Sequence, residues 1–196
     1  MAFVGMKYVV AAKLKTEKPG QLPEYEQGMV VGRGIEAVIN YNRANNTLRA
    51  DDADAESDNS VTGGTLQVSV DDMEDSVQEA LLSQQKTTED EYDETGEPSP
   101  YIGLGYMRAR RHKGVSSMVA YWIWKCQLGI ATETATTKGE QVQWQTPGLS
   151  GNMMAVQIDS SMVNKFRRRK TFTGADAEAQ ARAWLNKLAN ITEAAA

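Results

Sequence analysis

Cysteine and histidine are nearly missing from this sequence: its 196 residues hold one of each, Cys126 and His112. A single cysteine excludes an internal disulfide and a four-thiolate zinc site. A single histidine leaves any Ser–His–Asp or Cys–His arrangement one imidazole to use, and His112 stands beside Arg110, Arg111 and Lys113 with no neighbouring carboxylate to orient it. It is read as a turn residue. Long apolar runs are missing too. None approaches the roughly 18 residues of a membrane-crossing helix, and the opening MAFVGMKYVVAAKLK lacks the charged, apolar and small-residue succession of a secretion signal. The expectation is a chain neither secreted nor membrane-spanning, suited to a reducing compartment. There is no positive surplus: 21 Lys and Arg face 26 Asp and Glu, a net charge of −5, the wrong sign for a surface that grips nucleic acid as a whole. No GxxxxGK[ST] or complete GxGxxG occurs.

What is present is an average share of apolar (41%) and charged (24%) residues, which fits one domain over 1–196 that holds a core without metal or disulfide. Period-two alternation marks strands. In TLQVSV, Leu66, Val68 and Val70 point one way and Thr65, Gln67 and Ser69 the other. From Tyr101 to Leu128, YIGLGYMRARR and VSSMVAYWIWKCQL flank a short stretch containing His112, Lys113 and Gly114, which predicts a hairpin. Alternation assigns Met118, Ala120, Trp122, Trp124, Cys126 and Leu128 to one face and Val119, Tyr121 and Ile123 to the other, so this strand is expected to be central. Gly103 and Gly105 share a face and point to close backbone packing or strand curvature. Further strands are expected at Tyr8–Lys15, Gly34–Tyr41, Gln141–Thr146 and Asn152–Ile158, the last two joined by a turn at 147–151.

Two helices are expected. One follows VDDMEDSVQEALLSQQ, with Asp72 as N-cap and Met73, Val77, Ala80 and Leu81 on one face. The other spans about 175–190, with Ala177, Ala181, Trp184, Leu185 and Leu188 as its apolar stripe and Thr173 and Asp176 at capping spacing. Two acidic stretches read as structure-poor: residues 50–60, within a polar arm at about 44–63, and an acidic loop at about 87–100. The run DDADAESD has clustered carboxylates but lacks the glycine and glutamate of a calcium loop, so it is read as solvated.

The candidate interaction residues are charged. The clusters RARRHK and FRRRK supply Arg108, Arg110, Arg111, Arg167, Arg168 and Arg169; the arm supplies Asp51, Asp52, Asp54 and Glu56. The arginines could neutralise phosphates. In an acidic chain that self-assembles they can instead meet the acidic loops of a neighbour, the reading preferred here.

Three blocks taken in order carry a resemblance: LRADDADAESDNSVTGGTLQVSVDDMEDSVQEALL from Leu48, PYIGLGYMRARRHKGVSSMVAYWIWKCQL from Pro100, and KGEQVQWQTPGLSG from Lys138. The order resembles the major tail proteins, or tail-tube proteins, of bacteriophages with long non-contractile tails, chiefly those of Gram-positive hosts. The resemblance implies a mainly β fold, a β-sandwich or flattened barrel with one flanking helix and a C-terminal helix. It implies a hexameric ring, stacked into a hollow tube in the virion tail after synthesis in the host cytoplasm, with tape-measure and tail-terminator proteins as partners. Double-stranded DNA would pass through without specific binding. No cofactor, metal or catalytic residue is implied.

If the chain lines such a conduit, its wall should carry no surplus of lysine or arginine, because DNA bears about one negative charge per 1.7 Å of axis and a cationic wall would hold it. Thr65, Gln67 and Ser69 on one strand, and Gln141, Gln143 and Gln145 on another, are the candidate lumen-facing residues; ordinary solvated outer faces would look the same in sequence. Two alternatives stand beside this reading. One is the inner tube of a contractile tail or injection machine. The other is a ligand-binding β-sandwich using Trp122, Trp124 and Trp144 as a stacking platform, although aromatics along strands are more commonly core.

Overall fold

The computed structural model describes residues 2–50, 53–88, 91–112, 114–132, 146 and 148–192. The chain is mainly β, 60% strand and 12% helix. In order come β1 (Ala2–Thr16), β2 (Glu24–Tyr25), β3 (Met29–Gly32), β4 (Gly34–Arg43), β5 (Asn46–Ala50), β6 (Ala53–Asp58) and β7 (Val61–Val70). Helix α1 (Asp75–Leu82) follows, then β8 (Gln84–Thr88), β9 (Glu91–Glu94), β10 (Ile102–His112) and β11 (Val115–Thr132). The chain continues through β12 (Gly148–Met154), β13 (Val156–Gln157), β14 (Asn164–Lys165), β15 (Arg167–Thr173) and α2 (Ala177–Leu188).

Among the described residues one nine-stranded antiparallel sheet runs β2-β1-β10-β11-β12-β7-β4, with β15 paired to β11 and β3 to β1. The strand expected to be central is central. β11 pairs with β10 along one edge, and along the other with β15 from Ser117 to Ile123 and with β12 from Lys125 to Thr132. The sheet curls so that Val9 on β1 shares a core with Leu66 and Val68 on β7, and Gly34 on β4 backs onto Met6 and Val9. Its two ends face each other like the layers of a sandwich, but no β1–β4 ladder closes a barrel among the described residues. No helix there is long and apolar enough to cross a membrane.

The sheet's two faces bury separate cores. Inside the curl lie Leu104, Tyr106, Val119, Tyr121 and Ile123, with Val77 and Leu81 of α1. On the opposite face α2 packs Ala177, Ala181 and Leu185 against Val10, Met107, Ala120, Trp122 and Trp124. Strict alternation placed Cys126 and Leu128 with the tryptophans, and this is corrected: both lie in the inner core. Leu104 pairs with Ile123 but Ile102 pairs with Cys126, so β11 spends one extra residue and every later side chain changes face.

The glycines of β10 meet the expectation of close packing. A Cβ on Gly103 would lie 2.5 Å from the Trp122 ring and 2.6 Å from Tyr25, and one on Gly105 2.8 Å from Trp122 and from Leu185. Trp122 is packed into the space those missing methyls leave. The hairpin is also present: His112 pairs with Val115, and Gly114 takes the positive φ (81°) that its tight turn requires.

Other expectations need correction. The turn at 147–151 is strand from Gly148 onward, because Gly148–Met153 is hydrogen-bonded into the sheet between β11 and β7; its partner strand at 141–146 lies outside the described residues except Thr146. Asp72 does not cap α1. Its carboxylate accepts the next N–H, of Met73 at 2.8 Å, and Glu74 holds the cap position without a side-chain bond. Thr173 ends β15 and Asp176 stands at the start of α2 without a side-chain cap bond. The stripe of α2 buries Ala177, Ala181 and Leu185 as expected, while Trp184 and Leu188 are only half-buried. Neither acidic stretch is structure-poor. The polar arm forms a β5–β6 ribbon continuing the β4–β7 hairpin, and the loop at 87–100 contains the β8–β9 ribbon.

Candidate functional site

Three surfaces follow from this register. The first lies on the outside of the curl. Side chains directly opposite one another across a ladder point to the same face, and β7 pairs Thr65 with Asn40 and Asn152, Gln67 with Val38 and Ser150, and Ser69 with Glu36 and Gly148. β11 extends the block with Gln127 and Gly129. Their neighbours Leu66, Val68 and Val70 fill the inner core, so Thr65, Gln67 and Ser69 point away from it. Glu36 is the one charge among these residues. Tertiary pairing thus widens a three-residue stripe into a four-strand polar block without a cation; at its border the same ladder brings Lys125 opposite Met154, a lysine ion-paired with Glu17. Gln141, Gln143 and Gln145 lie outside the described residues.

The second surface is cationic, and pairing reorganises the two arginine clusters. Arg110 and Arg108 on β10 stand opposite Ser117 and Val119; Arg169 and Arg167 on β15 stand opposite Tyr121 and Ile123. Because Ser117, Val119, Tyr121 and Ile123 alternate along β11, these four arginines share the inner-core face, in two rows flanking one strand. Arg111 and Arg168, opposite Ser116 and Trp122, go to the other face. Three of the four are held by ring stacking or a hydrogen bond. The Arg108 guanidinium lies 4.3 Å from the Phe3 ring centroid, and Arg167 lies 4.7 Å from that of Tyr121 and 5.8 Å from that of Tyr41. Arg110 Nε donates to Ser117 Oγ at 3.1 Å. Beneath them Tyr106 and Tyr121 stack at 5.1 Å. Burial raises the pKa of the Tyr106 phenol, opposed by the Arg167 charge beside it. Among the described residues none of the six candidate arginines is ion-paired; the pairs there join Lys7 and Arg182 to Glu178, Arg33 to Asp71, Lys125 to Glu17 and Lys165 to Asp159.

The third is acidic. Asp54 and Glu56 fall on β6, where the backbone alone is described, and Asp51 and Asp52 lie outside the described residues. On β9, Glu91, Asp93 and Glu94 are exposed. Sequence reasoning passed over these as a loop of no pattern; the available signal was the alternation Glu91–Tyr92–Asp93 beside a Thr-Thr pair.

The tryptophan platform is not formed. Trp122 and Trp124 are 0% and 1% exposed in the core, and Trp144 lies outside the described residues. His112 is exposed at its hairpin tip, and Cys126 is buried, which pushes its thiol up to about 12 and leaves it protonated at neutral pH. No known family model matches the chain, and no curated protein is similar enough to it to count as a relative.

Proposed function

We propose that the chain is a structural subunit that assembles into stacked rings forming the tail tube of a long-tailed bacteriophage, a conduit for genome delivery, with no catalytic role. The observation that carries this reading is the polar block around Gln67, which offers a duplex many uncharged groups and no cation. A wall of this kind lets DNA slide, whereas lysine or arginine at each ring would retain it. Two further features support assembly. β4 and β15 are each paired on one side only among the described residues, and such edges can join neighbouring copies. The β5–β6 ribbon gives the sheet an arm that can reach a stacked neighbour. Hexameric closure, the tape-measure and tail-terminator partners and the virion location belong to this reading through the resemblance of the three blocks.

Light scattering and negative-stain microscopy of the purified chain test it. Rings or tubes are expected. A particle that stays monomeric at every concentration and ionic strength would remove the reading. In assembled tails, Gln67→Lys should leave tubes intact and slow genome ejection at low salt.

A further inference from the structure

We infer that the β8–β9 ribbon of one copy docks on the four-arginine strip of a second copy, setting Glu91 and Asp93 against Arg108, Arg110, Arg167 and Arg169. The inference rests on the self-assembly reading and assigns the acidic ribbon to one partner surface.

The ribbon has one anionic face. Glu91 and Asp93 alternate with Tyr92 along β9 and so project together, whereas Lys86, opposite Tyr92, is on the other face with its ammonium 5.7 Å from that ring's centroid. Among the described residues no cation pairs with Glu91, Asp93 or Glu94. Glu91 accepts a hydrogen bond from the Thr88 hydroxyl at 2.7 Å, which fixes its carboxylate close to the strand. The base of the ribbon is tied down: Ser83 donates to the Pro98 carbonyl at 3.0 Å, Thr95 to the Ser83 carbonyl at 2.8 Å and Gln127 to the Ser99 carbonyl at 2.6 Å. An anchored anionic strand and a cationic strip, each without an ion pair among the described residues, are complementary.

The dimensions agree. Residues two apart in a strand are about 6.6 Å apart, which is the spacing of Arg108 and Arg110, of Arg167 and Arg169, and of Glu91 and Asp93 alike. The two arginine rows are separated by β11 and so lie about 9.6 Å apart; Val119, Tyr121 and Ile123 between them are buried, so the partner's carboxylates meet the arginine heads and not the floor of β11. Stacking on Phe3 and Tyr121 and the bond to Ser117 hold three of the guanidiniums in place before any partner arrives. Little side-chain freedom is then lost on binding, and planar, fixed guanidinium groups suit carboxylates.

One copy cannot satisfy the whole strip itself. The ribbon is rooted at Gln127, and the arginines stand opposite Ile123, Tyr121, Val119 and Ser117, about 13–33 Å away along β11; a five-residue strand reaches about 16 Å, as far as Arg167 but short of the other three. Complementary patches at separate places on a subunit make a head-to-tail contact, which closes into a ring or propagates as a stack. Duplex DNA is the competing occupant, since guanidinium rows also bind phosphates. The net charge of −5 opposes it, and the acidic ribbon in the same chain favours a second copy.

Charge reversal in the full-length chain tests the contact. Glu91→Arg with Asp93→Arg, and separately Arg110→Glu with Arg169→Glu, should each raise the concentration needed for half-assembly by about tenfold or more at low salt, with unfolding transitions unchanged. A chain carrying all four reversals should regain assembly in part, because the contacts to Arg110 and Arg169 are exchanged while Arg108 and Arg167 remain. If the half-reversed chains assemble like the parent, or the fourfold variant is folded but no better than the half-reversed chains, the inference is overturned and the self-assembly reading stands. If the parent chain itself never associates, both fall. Duplex DNA binding by the parent that is lost in Arg110→Glu/Arg169→Glu, with assembly unaffected, would assign the strip to nucleic acid instead.

Discussion

The first half of β11 and the middle of β7 belong to one sheet and have opposite surroundings. From Met118 to Trp124 every residue of β11 is buried, because the curl of the sheet covers one face and α2 the other. From Thr65 to Ser69, β7 buries alternate residues and leaves the rest to solvent. A strand covered on both sides must be apolar on both sides, which is why VAYWIW shows no polar beat, whereas TLQVSV alternates cleanly. Stability is concentrated in the first region, and the second is free to be shaped by what it meets.

Substitutions can break that contrast. Trp122→Ala removes one of the two largest fully buried side chains, from a site framed by Gly103, Gly105 and Tyr25, and should cost about 3–5 kcal/mol in urea unfolding. Gly103→Ala is the converse experiment. It puts a methyl where Trp122 and Tyr25 already are, and overpacking of this kind should cost about 1–3 kcal/mol, read as a lowered denaturation midpoint at unchanged slope. Trp184→Ala probes the cover. Trp184 is half-buried and meets Phe172 edge-on at 6.3 Å, so its loss should cost about 1–2 kcal/mol; a cost as large as that at Trp122 would mean that α2 is a far greater part of the fold than its exposed side suggests. At the bare end of the scale, Gln67→Lys should leave the melting transition within about 0.5 kcal/mol of the parent. If it destabilised as much as Gly103→Ala, the β7 face would have to be packed, and the contrast would be gone.

Several elements could be read directly from residues. Binary alternation identified β7, the β10–β11 hairpin and the central place of β11, and the apolar stripe identified α2, because these signals are local: period, turn glycine and helical spacing act within a few residues. Capping was misread at both helices, since Asp72 and Thr173 have the right chemistry but the chain enters each helix a few residues later. Residues 148–151 were misread for a related reason. Gly-Leu-Ser-Gly has turn composition, yet β11 and β7 leave a vacant lane between them, and a Cβ at Gly151 would lie 1.8 Å from the Gln127 carbonyl oxygen. Glycine is there for strand proximity.

By itself, then, the sequence determined the class of fold, the absence of any thiol or imidazole cluster, the apolar stripe of α2 and the residues of the inner strands, all consequences of composition and short-range period. Tertiary structure alone decided which residues stand together. The bulge in β11 sent Cys126 and Leu128 to the other core, and the β10–β11–β15 ladder sorted six arginines into four on one face and two on the other. Three-strand pairing likewise joined Asn40, Gln67 and Asn152 into one polar surface. Register is a long-range property, set by hydrogen bonds between segments tens of residues apart, and a shift of a single residue reverses the face of every side chain beyond it.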